Sequence, residues 1–456
     1  MQTNTPMKKR IAFISDHASP LATLGGVDSG GQNVYVAELA KRLADTGYEI
    51  DIFTRKDDKA QVEIVDWLPG VRVVHVKAGP EMFVPKEKLL YYMPDFVEYM
   101  LAFMQRQQVR YNLVHAHFFM SGWVASELRK LTGIPYTITF HALGLVRKQH
   151  QKEMDQFPAE RLQIEAMLVK DADHIVAECP QDKADLITFY NAEESNITVI
   201  PCGFCPGEFG PVDKKTAREM LQLNPDEKIL LQLGRMVPRK GVDNVIRGLG
   251  TVSKKLNNVR LLIVGGEADM PEVLQTPEVQ RLQQVAMEAG VADRVTFTGR
   301  RSRDVLKYYY AAADVFITTP WYEPFGITPL EAMACGTPVI GANVGGIKYS
   351  VVDGKTGLLV PPRNPLVLGN AIVKMVTNDK LLAAMHKNAL IHVNRYFTWN
   401  RVARSMHTLY QQLTNIPVPA ANKWHSNLLL KDISSFIKES FLSSGLEPHM
   451  QGQITQ

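Results

Sequence analysis

Two carboxylates, Glu323 and Glu331, stand eight residues apart in YEPFGITPLEAMACGTPVIGANVGG, with a Pro-Phe-Gly turn after the first and a small-residue apolar pattern around the second. That spacing sets one carboxylate on a loop at a helix start and the other on the helix face. Backbone N–H groups of Phe325, Gly326 and Ile327 would point outward there, where orphan donors and the positive end of a helix dipole attract oxygen-rich ligands. A carboxylate accepts two hydroxyl hydrogen bonds at once, which suits a sugar or a ribose diol. Paired carboxylates also work as acid/base couples, so the pair alone leaves both chemistries open.

A second group of residues narrows the choice. LGRMVPRKG places Arg235 and Lys240 between Gly234 and Gly241, just beyond an apolar run that reads as a parallel strand. Two cations at such a strand end suit a diphosphate, because they neutralise the anion and stabilise it as a leaving group. Alone this is an ordinary exposed basic loop. Combined with Glu323 and Glu331 from a later loop of the same domain, it favours ligand binding. Gly30 and Gly31 follow the first strand and permit close backbone approach by a phosphate or sugar, although a Gly-rich loop is equally a packing turn.

The remaining candidates are weaker. His141, in TFHALG at a strand end beside a glycine turn, is a candidate ligand contact. His115 and His117, two apart on a strand, share a face and could supply half of a metal site, yet no third ligand is evident, so packing or hydrogen bonding is the expected role. Lys86 and Arg161 read by themselves as surface cations. Of the four cysteines, Cys202 and Cys205 form a CxxC in PCGFCP, but no second pair lies at zinc spacing. Pro206 and Gly207 oppose the helix start on which a redox thiolate depends, so the segment reads as a turn after a buried strand.

These residues require elements to hold them. RIAFISDHA, a Gly loop, a helix with apolar positions Val34, Val36, Leu39, Ala40 and Leu43, and YEIDIFTR make a strand, loop, helix, strand unit. VRVVHVKA, YNLVHAHF, PYTITFHA, HIVAEC and NITVIPCG continue the alternation, and GFCPGEFGPVD reads as a linker. A second alternation runs through KILLQLGR, VRLLIVGG, RVTFTG, VFITTP, TPVIGA and TGLLVPP. Two doubly wound α/β domains facing a central cleft are therefore expected, with the ligand in the cleft. After Pro362 the chain reads as helical, and an amphipathic LLLKDISSFIKESFL lies in a tail ending in polar GQITQ.

The chain has 456 residues, a net charge of +4, 45% hydrophobic and 21% charged residues, which fits two globular domains and excludes an argument from charge for nucleic acid. No apolar run approaches the roughly 20 residues that span a bilayer, and the stretch after MQTNTPMKKR turns polar too soon for a signal sequence. The cytoplasm is the expected location.

Together the motifs DSGGQNVYVAELA, VHAHFFMSG, LGRMVPRKG and EPFGITPLEAMACGTPV, spanning roughly Lys8 to Thr414, resemble the retaining, GT-B fold nucleotide-sugar glycosyltransferases of family 4 (group 1). The motifs are closest to those of D-inositol-3-phosphate glycosyltransferases and sucrose-phosphate synthases. The resemblance implies an acceptor-binding domain over 1–205, a nucleotide-sugar domain over 206–395, a helix over 396–415 packed back on the first domain, and a tail from 416 to 456 outside the match. It implies that Gly31 approaches the donor diphosphate and Asn33 the acceptor. Arg235 and Lys240 would stabilise the departing nucleoside diphosphate, with His141 against the sugar. Glu323 and the backbone at Phe325, Gly326 and Ile327 would bind the transferred sugar, and Glu331 the donor ribose. The acceptor would attack from the face that the nucleotide leaves, its proton passing to the leaving phosphate, with no metal, cofactor or enzymic nucleophile.

The acceptor pocket departs from the family pattern. Lys86 and Arg161 match a lysine and an arginine that hold an acceptor phosphate in the inositol-phosphate enzymes, but Phe118 and Ala142 replace a tyrosine and a threonine. Two lost hydroxyl donors weaken a phosphate by about 1–2 kcal/mol each. Cys205 stands where relatives carry an acidic residue. The expected partners are a nucleotide-sugar donor, UDP-linked by the resemblance, and a small polyol or sugar-phosphate acceptor, without nucleic acid. The alternatives are a lipid or glycan acceptor reached through weak membrane-surface contact, a nucleotide-sugar epimerase on the same fold, and a non-catalytic sugar-nucleotide sensor working through the tail.

Overall fold

The computed structural model describes residues 8–22, 30–266, 268–269 and 276–415, with positions 439 and 442. The tail expected over 416–456 otherwise lies outside the described residues, as does the Gly-loop segment 23–29.

Short, apolar, β-branched runs buried on both faces form two sheets among the described residues, as parallel strands between helical layers require. The first sheet contains β1 (Arg10–Ile14), β2 (Glu49–Arg55), β3 (Ile64–Leu68), β4 (Val71–Val76), β5 (Leu113–His117), β6 (Tyr136–Thr139), β7 (His174–Ala177) and β8 (Ile197–Val199) in the order β3-β4-β2-β1-β5-β6-β7-β8. The second contains β9 (Lys228–Leu233), β10 (Val259–Val264), β11 (Val295–Gly299), β12 (Val315–Thr318), β13 (Val339–Ala342) and β14 (Gly357–Val360) in the order β11-β10-β9-β12-β13-β14. The strand order reverses at β1/β5 and at β9/β12, and at such switch points the carboxyl ends of strands open a crevice.

Three features differ from the sequence-based expectation. The strand β3 was not anticipated: it pairs antiparallel with β4 at the sheet edge, and its half-exposed IVDWL lacks the continuous apolar run of the inner strands. Its hairpin depends on Gly70, whose φ of +78° is a left-handed value. Gly31, expected in the Gly loop, is instead the first residue of the helix Gly31–Ala44, so its N–H is among that helix's first-turn donors. In the same helix Asn33 and Tyr35 are buried, and Val34 is only partly so.

The helix Trp399–Asn415 lies against the helix Gly31–Ala44, although it belongs to the end of the chain. It buries Trp399, Val402, Met406, Leu409, Tyr410 and Leu413, a three-four spacing that places one face on the first sheet's layer. The PCGFC segment runs beneath it. A Cβ at Gly203 would stand 2.6 Å from the Trp399 nitrogen, so only glycine permits this crossing, and Phe204 bridges to Thr398. No described helix is long and apolar enough to cross a membrane.

Candidate active site

Chain leaving β9 and β12 forms one wall of a cleft of about 660 Å³, and chain leaving β1, β5 and β6 forms the other. Gly31, Asn33, Lys86 and His141 line the first-sheet wall; Arg235, Lys240, Glu323, Phe325, Gly326, Ile327 and Glu331 line the second. The walls approach closely at the Gly loop. A Cβ at Gly30 would sit 3.6 Å from Arg235 Nε, and one at Gly31 3.9 Å from Ile327 Cδ1.

The second-sheet wall is built from ion pairs. A 3-10 turn, Pro238–Lys240, carries Lys240, and the next residue, Gly241, has φ +68° with its Cβ position 2.1 Å from the Thr319 carbonyl oxygen. A side chain there would displace the turn. Lys240 Nζ donates to Glu323 Oε2. Burial lowers the Lys240 ammonium to about 8, despite the opposing charge of Glu323. Burial by itself would raise Glu323, but Lys240, Arg239 and Arg235 together bring it below its usual value. Both groups are thus held charged beside further cations, a preorganised field for an anion.

Glu331 sits on the helix Thr328–Ala334, which is only two turns long, so local donors outweigh any dipole. It is buried and accepts from Arg303 Nη1 at 3.0 Å and from Tyr310 Oη at 2.9 Å. Burial opposes the Arg303 charge, but Glu331 and Glu208 more than compensate and hold it cationic. Two of roughly four lone-pair directions on Glu331 are therefore occupied, which leaves acceptors for a diol. Arg303 and Tyr310 were missed in the sequence. The run GRRSRD after β11 contains the clue, three arginines at a parallel-strand end.

The first-sheet wall carries Lys86 and Arg147 together with a run of histidines. His141, at φ +58°, hydrogen-bonds through Nε2 to His117 Nδ1 at 3.1 Å and through Nδ1 to Glu178 Oε1 at 3.2 Å. His115 bonds to Tyr410 Oη at 2.5 Å and to Thr139 Oγ1 at 2.9 Å. Burial pushes His115 and His117 well below the ordinary histidine range, so both stay neutral. They form part of a hydrogen-bond run, and among the described residues no three His, Cys, Asp or Glu side chains cluster as metal ligands. Glu178 also accepts from Cys202 Sγ at 3.1 Å. Cys205 faces away to Arg42 Nη2 at 3.3 Å, so the CxxC thiols serve different neighbours. Asp182, buried near Glu178, is raised to about 7.

Among the acceptor candidates, Asn33 lines the cleft, but its amide donates to the Ser19 carbonyl at 2.9 Å and accepts from Gly30 N–H at 2.8 Å, which ties down the Gly loop. Lys86 is half-buried, 3.7 Å from Glu87. Arg161 is a correction. It is not a surface cation but 1% exposed, its Nε donating to Glu165 at 2.7 Å and its Nη2 to the Ala142 carbonyl at 2.5 Å. The rings of Phe118, Phe119 and Phe157 enclose its guanidinium at 4.9, 4.9 and 4.5 Å. Phe118, Ala142 and Phe157 line the cleft, whereas Arg161 is not on the lining. Phe157 precedes Arg161 by four positions, but Phe118 and Phe119 are remote in sequence, so the complete cage has no local sign. Phe118 itself has φ +83° and ψ 161°, a region nearly restricted to glycine, at a cost of about 1–3 kcal/mol.

Residues 29–206 match the family profile Glycosyltransferase Family 4, and residues 213–391 match Glycosyl transferases group 1. The D-inositol 3-phosphate glycosyltransferase of Corynebacterium efficiens is 34% identical over 89% of this chain and 96% of its own. That of Acidothermus cellulolyticus is 36% identical over 88% and 90%. Among solved structures, sucrose-phosphate synthase from Thermosynechococcus elongatus has 36% identity and a TM-score of 0.82 over 89% of this chain and 99% of its own. Anabaena HepE in complex with UDP-glucose, at 20% identity, has a TM-score of 0.69 over 88% of this chain and 99% of its own, a likeness of fold alone.

Proposed function

The chain belongs to the family 4 (group 1) glycosyltransferases and has their GT-B fold, and on that premise we propose that it transfers a hexosyl group, with retention, from a UDP-sugar to a small hydroxylated acceptor, free or phosphorylated. The observation that carries this reading is the Lys240–Glu323 pair, beside Arg235 and opposite the Gly30–Gly31 backbone. Lys240 and Arg235 would neutralise the diphosphate and the charge that builds on it as the C1–O bond breaks. Glu323 and the N–H groups of Phe325, Gly326 and Ile327 would take the transferred sugar's hydroxyls, and Glu331 the ribose diol. His141, held by Glu178 and His117, would contact the sugar from the opposite wall.

On the same reading 1–205 is the acceptor domain, 206–395 the donor domain, and 396–415 a clasp returning to the first. Gly31 would approach the donor diphosphate, and Asn33 and Lys86 would border the acceptor space. Arg161 would act on the acceptor through the ring cage in front of it. The acceptor class is supported by relatives named for inositol 3-phosphate and for sucrose-phosphate synthesis. Four buried free thiols fit a reducing compartment such as the cytoplasm, where nucleotide sugars are made.

The test is calorimetric binding and consumption of UDP-glucose, UDP-GlcNAc and GDP-mannose with a panel of polyol and sugar phosphates. Consumption of a UDP-sugar dependent on a polyol or sugar-phosphate acceptor, with an α-linked product by NMR, is expected. Binding of none of the donors would sink the proposal, and conversion of donor without acceptor would identify an epimerase instead.

A further inference from the structure

Glu331 owes its place to Arg303 and Tyr310, and both of these rest on one short stretch of the linker between the sheets. Glu208 and Phe209 close a turn there, their N–H groups donating to the Cys205 carbonyl at 3.0 and 2.9 Å. The Arg303 guanidinium, carried by the helix Arg303–Ala312, donates through Nε to Glu208 Oε2 at 2.6 Å, and the Phe209 ring lies 4.8 Å from its central carbon. The same ring meets Tyr310 edge-on, with centroids 5.9 Å apart. The linker therefore holds one edge of the guanidinium and a ring against it, which leaves Nη1 to donate to Glu331. A planar fork held in this way has little freedom to turn. Arg303 and Glu331 line the cleft, whereas Glu208 and Phe209 do not. The helix Gly31–Ala44 of the opposite wall reaches the same point: burial raises its Glu38 carboxyl, Arg42 opposes that shift, and the charges of Glu208 and Arg303 act on it as well.

We infer that Glu208 and Phe209 are positioning residues for nucleotide binding: they fix Arg303 and Tyr310, which present the Glu331 carboxylate to the ribose diol, so that nucleotide occupancy and the conformation of the linker are coupled. This rests on the reading of Glu331 as the ribose carboxylate. Neither linker residue lines the cleft, so neither meets the ligand. The coupling is reciprocal, because a linker that orients Glu331 favours the nucleotide and a bound nucleotide in turn holds the linker. Direct electrostatics predicts the opposite sign. Glu208 is a carboxylate near a site for an anion, and its removal would by that effect alone strengthen UDP binding. Since Glu208 is exposed, its ion pair is weak by itself, and a modest loss is expected where the pair acts through Glu331.

The test measures UDP affinity by calorimetry, KM and kcat for the UDP-sugar that the wild type consumes, and urea unfolding, in Glu208→Gln, Phe209→Leu, Glu331→Gln and the double variant Glu208→Gln/Glu331→Gln. For Glu208→Gln, UDP affinity should fall about 3- to 5-fold and the donor KM rise by the same factor, with kcat and the unfolding midpoint unchanged. Phe209→Leu, which keeps apolar bulk but removes the ring contacts to Arg303 and Tyr310, should weaken UDP at least as much. The double variant should bind UDP as Glu331→Gln does, because Glu208 acts through Glu331 and the two losses do not add. Saturating UDP should slow hydrogen exchange at the Glu208 and Phe209 amides of the wild type, and this protection should disappear in Glu331→Gln. Tighter or unchanged UDP binding by Glu208→Gln would overturn the inference, as would additive losses in the double variant or a fall of kcat together with the unfolding midpoint. If Glu331→Gln itself binds UDP like the wild type, the ribose reading falls and the inference with it. A loss in Glu331→Gln without one in Glu208→Gln would sink the inference alone.

Discussion

The two walls of the cleft solve different electrostatic problems. On the second-sheet wall, charges remain charged: Lys240 faces Glu323, and Arg303 faces Glu331, each pair partly or wholly buried with further cations beside it. On the first-sheet side, Lys86 and Arg147 reach the cleft, but the titratable groups set behind the lining are neutral or enclosed: His115 and His117 are held unprotonated, and Arg161 sits in a cage of three rings with its own carboxylate. The difference teaches what each wall is prepared for. Preorganised cations receive an anion and the charge that develops when it leaves. Fixed neutral donors and acceptors sort hydroxyls, where a misplaced polar group is costly because its partner is left unpaired.

Four changes break or sharpen that contrast. The largest effect belongs to Lys240→Ala, for which turnover of the UDP-sugar should fall about 100- to 1,000-fold with the fold retained by circular dichroism. Unchanged turnover would remove Lys240 from the leaving-group role. Next is Arg161→Met, which leaves Glu165 buried without its cation and should cost about 3–5 kcal/mol in urea unfolding. If stability hardly moves while the acceptor KM rises steeply, Arg161 is a ligand contact and the neutral description of that wall fails.

A smaller loss is expected for Glu331→Gln, which keeps the volume but removes the charge that holds Arg303 and Tyr310. UDP affinity by calorimetry should weaken roughly 10-fold, as for one charge-assisted hydrogen bond. The smallest effect near neutrality is a pH dependence. Burial lowers Lys240 from its ordinary 10.5 to about 8, and on the proposed reading only the ammonium would attract the diphosphate. UDP affinity should therefore be level below about pH 8 and fall by about tenfold per pH unit above it, because binding then takes up a proton. Lys240→Arg should flatten that limb, since a guanidinium stays protonated. A wild-type profile level to pH 10 would show that Lys240 is not desolvated.

The strand alternation was legible because inner parallel strands are apolar on both faces, a pattern visible in runs such as RIAFI and VRLLIV. The edge strand β3 was not, because half-exposed residues carry no such run. Arg235, Lys240, Glu323 and Glu331 were singled out by side-chain chemistry at strand and helix ends, and the structure gathers them on one wall. The burial of Arg161 was not legible because two of the three rings that enclose it, Phe118 and Phe119, come from a remote segment. Arg303 was overlooked because its partner Glu331 lies 28 positions away, beyond any helical spacing.

By itself, then, the sequence determined two successive α/β windings and the short-range devices within them: glycines where a left-handed turn or a close crossing is needed, and a carboxylate before and on a two-turn helix. Those follow from local conformational sterics and burial period, which act over a few residues. Only the tertiary structure decided which charge meets which. Lys240 finds Glu323 across 83 positions, and His115 finds Tyr410 across 295, because strand order and the returning helix bring them together. Such pairings are set by how whole layers pack to exclude water, a requirement that no stretch of the chain carries on its own.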